Sequence, residues 1–261
     1  MKLIDIGVNL SNNRLYADAA DIISRAQQVG VEKLVVTGTS LKHSRIAIEL
    51  CQQFPDQLVC TCGIHPHDAK DWNSETLAEL SELILADCVR AVGETGLDFN
   101  RNLSPKKQQI EVFQQQLELA ITHNKPVFLH QRDAFDTFHS LLKEYRDRLP
   151  AVVVHCFTDN KKALFSLLDQ DCHIGVTGWI CDERRGLELQ SLVKSIPSSR
   201  LMLETDAPYL LPRDLTQKPA NNLNLPEYLP HILQAVARHQ SKAPDQLADE
   251  TLLTTRLFFN L

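Results

Sequence analysis

No run in this chain approaches the about 20 consecutive apolar residues that a membrane-spanning helix needs, so a helical membrane protein is excluded. Positive charge is scarce as well. The formal net charge is −6 over 261 residues, and a protein without a broad basic surface lacks the sequence-independent attraction that holds polyanions. Any polyanionic ligand has to be held by a local patch or through a metal ion. Paired CxxC cysteines are missing too. The seven cysteines are an odd number, which reads as reduced thiols in a cytoplasmic protein, with Cys60 and Cys62 on one strand face and expected in the core. The opening MKLIDIGVNLS is too short an apolar run for a signal peptide, and Arg184-Arg185 lies too deep in the chain for a twin-arginine signal. No linker, low-complexity tract or 20–50-residue repeat interrupts the sequence, so residues 1–261 are expected to form a single unit.

What is present is an alternation. The sequence is 43% hydrophobic and 23% charged, enough to bury a sizeable core. Short β-branched or apolar runs predict strands at Leu3–Val8, Leu34–Thr37, Leu58–Gly63, Arg90–Gly93, Pro126–Leu129, Val152–Val154, His173–Thr177 and Leu201–Leu203. Seven segments with helical spacing separate them, and a last helical region, roughly Leu229 to Phe259, follows the eighth. Eight strands alternating with helices give the order of an α/β TIM barrel, (β/α)₈. A doubly wound open sheet yields a similar string, but it gathers ligands at one switch point. Here polar groups end strands throughout the chain.

Those strand ends carry the chemistry. AVVVHCFTD runs three valines into His155, KPVFLHQR ends its apolar run on His130, VRAVGETGLD on Glu94, and RLMLETDAP on Glu204 and Asp206. In a barrel the C-terminal strand ends converge on one mouth, so groups distant in sequence meet there. Two histidines and a carboxylate, His130, His155 and Glu94, suit a hard or borderline divalent cation. Asp206 is placed to take a proton from water or to complete the coordination. GIHPHD adds His65, expected to contact substrate, and His67, whose role the sequence leaves open. Arg132 is the candidate clamp for an anion, since guanidinium binds phosphate oxygens as a fork; the alternative is a surface ion pair with Asp133 or Asp136. His43, His123, His139, His231 and His239 fall on or beside helices and are expected on solvated faces. Phe99, Phe157, Trp179 and Tyr209 follow strand ends, where they either stack on bases or simply pack.

The motifs GIHPHD, GETGLDFNRN, VFLHQRDA, VVHCFT, GWICDERRG and LETDAPYLLPRDL, in this order over nearly the whole chain, resemble the TatD family of metal-dependent deoxyribonucleases. The resemblance implies a TIM-barrel hydrolase of amidohydrolase-like type that cuts phosphodiesters with Mg²⁺, or with Mn²⁺ or Zn²⁺. It further implies 3′-to-5′ exonuclease action on single-stranded DNA and RNA and a part in DNA repair. No membrane association and no obligate protein partner is expected. The family's metal glutamate falls on Glu94, its later metal histidines on His130 and His155, its last aspartate on Asp206 and its third-strand histidine on His65. One departure concerns the first strand, where most members carry a His-x-His pair and this chain has Gly7 and Asn9. One firm metal site is therefore expected, with a second near Asp206 absent or filled only with substrate phosphate. Two other functions fit the same residues: hydrolysis of small cyclic amides or esters, and non-catalytic binding of nucleic acid.

Overall fold

The computed structural model describes residues 1–261. Eight parallel strands form one sheet in sequential order: β1 (Leu3–Val8), β2 (Val31–Val36), β3 (Leu58–Cys62), β4 (Val89–Asp98), β5 (Val127–Arg132), β6 (Val152–Val154), β7 (His173–Val176) and β8 (Leu201–Leu203). Around it lie α1 (Ala19–Gln28), α2 (Leu41–Gln53), α3 (Ser74–Leu83), α4 (Lys106–Thr122), α5 (Phe135–Tyr145), α6 (Lys161–Asp169), α7 (Leu187–Leu192), α8 (Leu229–Gln240) and α9 (Pro244–Phe259). The predicted TIM barrel is the observed fold. Helix starts are set locally: Ser40 accepts from His43 N at α2, Asn160 from Ala163 N at α6, and Asn73 with Thr76 makes a capping box at α3.

β8 is short, and the ring closes beyond its end. Gly7 O accepts from Asp206 N at 2.9 Å and Ala207 O from Asn9 N at 2.8 Å. The buried Asp5 carboxyl completes the seam, accepting from Thr205 N at 2.9 Å and Thr205 Oγ1 at 2.5 Å. Burial pushes its pKa up to about 8 against the bonds from Thr205 and Gly7.

Alternation along each strand divides two cores. One lies between strands and helices. The other fills the lower barrel with Ile4, Ile6, Val35, Val59, Ala91, Phe128, Val153 and Met202, closed underneath by Phe258 and Phe259 of α9. The last helical region is thus two helices. Ser241, in the left-handed conformation at φ 56, ends α8 and Pro244 opens α9, which turns back beneath the barrel.

Strand limits differ from expectation where function sits. β4 continues to Asp98 and β5 to Arg132, so Glu94 and His130 lie within strands rather than just past them. A bulge between Val92 and Thr95 re-aims β4 at Glu94. A second bulge, between Asp5 and Val8, turns both Ile6 and Gly7 inward.

Candidate active site

The upper barrel is polar where the lower is apolar. Glu94 Oε1 is met by three imidazole nitrogens: His155 Nε2 at 2.8 Å, His130 Nδ1 at 3.1 Å and His65 Nε2 at 3.3 Å. Behind His155 stands Glu204, fully buried, whose Oε2 lies 3.3 Å from His155 Nδ1 and whose Oε1 accepts from Cys156 N. Two glycines make the room for it. A Cβ on Gly7 would lie 2.5 Å from Glu204 Oε2 and one on Gly175 2.6 Å from Oε1, so neither position tolerates a side chain while that carboxylate stays in place. Asp98 braces the other flank, with Oδ2 2.7 Å from His67 Nε2 and 3.6 Å from His130 Nε2. Its Oδ1 accepts from Asn100 N and Arg101 N. Asp206 stands apart from the histidines. Its partner is Asn9, whose Nδ2 donates to Oδ1 at 3.0 Å.

The electrostatics follow from burial set against pairing. Burial would raise Glu94, but the charges of His155 and His65 and the bonds from His130 and His155 hold it well below the carboxylate range. Burial would lower His155, and Glu94 and then Glu204 outweigh it, so this imidazole is raised well above its ordinary value. His130 rises for the same kind of reason, through Asp98 and Glu94. His65 falls, because its burial exceeds the pull of Glu94. Asp206 is pushed up to about 7 by burial, against the opposing charge of His155, with Glu94 and Glu204 adding to the rise.

The donor set fits a divalent cation. His65, Glu94 and His130 bring one ligand atom each within 4.8 Å of one another. His130 Nε2 is buried with no hydrogen-bond partner, a state that buried polar groups seldom keep.

The chain matches the family model described as TatD related DNase over residues 4–260. The chain belongs to the TatD family. It is 46% identical over 259 residues to the 3′-5′ ssDNA/RNA exonuclease TatD of Pectobacterium carotovorum subsp. carotovorum (strain PC1), covering 99% of this chain and 100% of that protein. The same figures hold for the exonuclease of that name from Edwardsiella piscicida. Among solved structures, YJJV, a TATD homolog from Escherichia coli k12, superimposes with a TM-score of 0.91 at 27% identity, over 99% of this chain and 98% of that one. Membership of the TatD family makes the protein a nuclease and sets aside the small-amide and the non-catalytic readings.

Within this TatD-family site the structure brings Glu94, His130, His155 and His65 together as the sequence led one to expect, and sets Asp206 beside them without contact. His65, Glu94 and His130 are the group whose ligand atoms all lie within 4.8 Å of one another, while His155 reaches Glu94 through Nε2 and Glu204 through Nδ1. Arg132, exposed at the end of β5, has the same strand phase as His130. The alternative ion pairs are not made: Asp133 bonds Asn100, and Asp136 faces Lys162. Gly7 and Asn9 face the mouth, as alternation predicts. Phe157 is buried packing, Trp179 is half-buried and Tyr209 exposed.

Sequence reasoning gave no role to Glu204 or Asp98 and left His67 open. A signal was available. Glu94 and Asp98 are four apart on β4, and period two puts both on one face; Glu204 directly follows β8 at the mouth. Extending the fourth strand past Glu94 would have found Asp98.

Proposed function

We propose that the protein is a divalent-metal-dependent exonuclease that removes nucleotides from the 3′ end of single-stranded DNA or RNA, with Mg²⁺ as its preferred ion. The single observation that carries the chemistry is the Glu94 oxygen ringed by three imidazole nitrogens. Substrate and direction are supported by the full-length relatives that carry those words in their names.

Glu94, His130 and His155 would hold the ion. Ligating histidines usually have a carboxylate or carbonyl behind the second ring nitrogen, and His155 has Glu204 there. His65 fits a different role. Its Nδ1 accepts from His67 N at 3.1 Å, so its proton sits on Nε2, which then donates to a phosphate oxygen rather than coordinating. A bound divalent ion supplies neutralisation of phosphate charge and acidifies water. Asp206, with Oδ1 anchored by Asn9 and a pKa pushed up to about 7, accepts the proton of the attacking water on its other oxygen. Arg132 takes a non-bridging phosphate oxygen. Trp179, with the Arg185 guanidinium 4.5 Å over its ring, and the exposed Tyr209 offer faces on which unpaired bases stack.

One firm metal site is proposed. Gly7 supplies no ligand atom from its side chain and Glu204 occupies the space beside it, so a second ion near Asp206 enters only with substrate phosphate. Seven free thiols support work in the cytoplasm, and no helix is long and apolar enough to cross a membrane. Trimming of 3′ ends accords with a part in DNA repair.

End-labelled single strands, incubated with Mg²⁺, Mn²⁺ or Zn²⁺ and with excess chelator, test the reading. Mononucleotides should be released from the 3′ end, most rapidly with Mg²⁺, and chelator should stop the reaction. His155→Ala should lower turnover by orders of magnitude in a folded protein. Equal cleavage of closed circular and linear strands would show endonuclease action, and full activity in chelator would rule out the metal.

A further inference from the structure

At the lower end of the barrel, away from the mouth, three cysteines converge from three elements. Cys51 of α2, Cys60 of β3 and Cys88, which immediately precedes β4, bring their sulfurs within 4.8 Å of one another. Cys60 Sγ lies 3.9 Å from Cys88 Sγ and 3.7 Å from the Cys88 carbonyl oxygen. All three are free thiols. Cys51 and Cys60 are buried, while Cys88 is half-buried and gives the cluster a face toward solvent. Buried cysteine packs as a small apolar side chain, so burial alone marks nothing here.

Charge does. The positive charge of Lys33 reaches Cys51, that of Arg90 reaches Cys88, and Lys125 stands against both Cys60 and Cys88. None of these cations has an ion-pair partner. Lys33 and Lys125 donate to the carbonyls of Asp56 at 2.9 Å and Val89 at 2.6 Å, and Arg90 Nε is buried with no partner at all. Asp87 offsets part of the charge at Lys125. The Cys51 and Cys60 thiols are nonetheless raised above their ordinary value by hydrogen bonds within the cluster and by burial, so they surrender their protons only to a strongly thiophilic ion. Hydrogen bonds from Cys51 and Cys60, with Arg90 adding to them, already draw the Cys88 thiol below its ordinary value.

We propose that Cys51, Cys60 and Cys88 form a trithiolate site for a soft, thiophilic d¹⁰ metal ion, with Cu(I) its best occupant. Thiolates select Cu(I) and Zn²⁺ over harder ions. A metal–sulfur distance of about 2.3 Å puts the sulfurs of a trigonal site about 4.0 Å apart, and the Cys60–Cys88 separation is 3.9 Å. The donor group holds three side chains and no fourth, which disfavours Zn²⁺, because its structural sites are four-coordinate. Binding releases the thiol protons to solvent and leaves three thiolates on one monovalent cation, a net charge of −2 that Lys33, Arg90 and Lys125 neutralise. The ion would tie α2 to the bases of β3 and β4, and by mass action would stabilise the fold.

The test is an anaerobic titration of reduced, chelator-treated protein with Cu(I) in a competing-ligand buffer, read by thiolate-to-copper absorption and by the melting temperature. Wild type should take up one tightly held equivalent and melt higher. Cys88→Ser should lose that equivalent and the thermal shift, whereas Cys172→Ser, outside the cluster, should keep both. Circular dichroism checks folding, and Cys51→Ser gives the same readout if Cys88→Ser does not fold. Unchanged uptake in both cluster variants would overturn the proposal. So would displacement of Cu(I) by Zn²⁺ at equal free concentration, or a protein that takes no Cu(I) and forms a Cys60–Cys88 disulfide under peroxide. Nuclease activity plays no part in these readouts, so the outcome is independent of the proposed exonuclease function.

Discussion

His155 and His173 sit on neighbouring strands at opposite ends of the barrel, and almost everything about them differs. His155 follows β6 at the mouth, flanked by the Glu94 and Glu204 carboxylates, and its pKa is raised. His173 begins β7 at the base, where it meets the Phe258 ring edge-on with centroids 5.0 Å apart. Burial brings its pKa down to about 4, against a bond from its ring to the Val152 carbonyl. The first is held between two carboxylates and the second is a half-buried, hydrogen-bonded neutral histidine packed against the core. The same residue type on the same kind of strand is thus assigned its chemistry by which end of the strand it occupies, because apolar rings close one end and carboxylates converge at the other.

The sharpest way to break this contrast is Glu94→Gln, which removes the charge at the centre of the mouth. Nuclease activity should fall by at least about 10²–10³-fold, while circular dichroism and the urea midpoint report a folded protein. Retention of near-normal turnover would dissolve the distinction between the two ends. Phe259→Ala attacks the other end and should cost about 3–5 kcal/mol of stability, read by denaturant unfolding, with the activity of the folded fraction unchanged. Glu204→Gln should act through His155 and lower kcat about 10–100-fold. Because Glu204 helps to raise the His155 pKa, the pH profile should also shift toward lower pH, which a merely structural loss would not do.

Taken per pH unit, the smallest effect is at the seam. The folded-state pKa of Asp5, about 8, lies above its ordinary 3.8, so the folded state holds the proton more tightly. Below pH 3.8 both states are protonated and nothing is lost. As pH rises toward 8 the unfolded chain ionises first, and stability should fall by up to about 1.4 kcal/mol per pH unit. Asp206, raised to about 7, adds a slope of the same sign in metal-free protein. Urea midpoints across this range, in chelator, should show a shallower decline for Asp5→Asn. An identical slope would remove the burial account of Asp5.

Much of this was legible in order along the chain. Alternating apolar runs and helical spacing fix eight strands and their helices, since period two and period 3.6 are local properties, and a barrel's rule about strand ends turns Glu94, His130, His155 and His65 into one site. Strand ends were less legible. β4 passes through Glu94 by a bulge, and β2 begins at Val31, ahead of the predicted Leu34, because Glu32 and Lys33 mask its apolar pattern.

What the sequence determined by itself is therefore the architecture and the inventory of groups at the mouth, because both depend on spacing along one chain. The tertiary structure alone decided which nitrogen faces which oxygen: His155 between Glu94 and Glu204, His67 and His130 on Asp98, Asp206 on Asn9, and Glu204 in the space left by Gly7 and Gly175. These pairings join residues up to 197 apart. They arise only when eight strands close into a ring, since distances across a barrel are set by strand register and bulges that no local periodicity encodes.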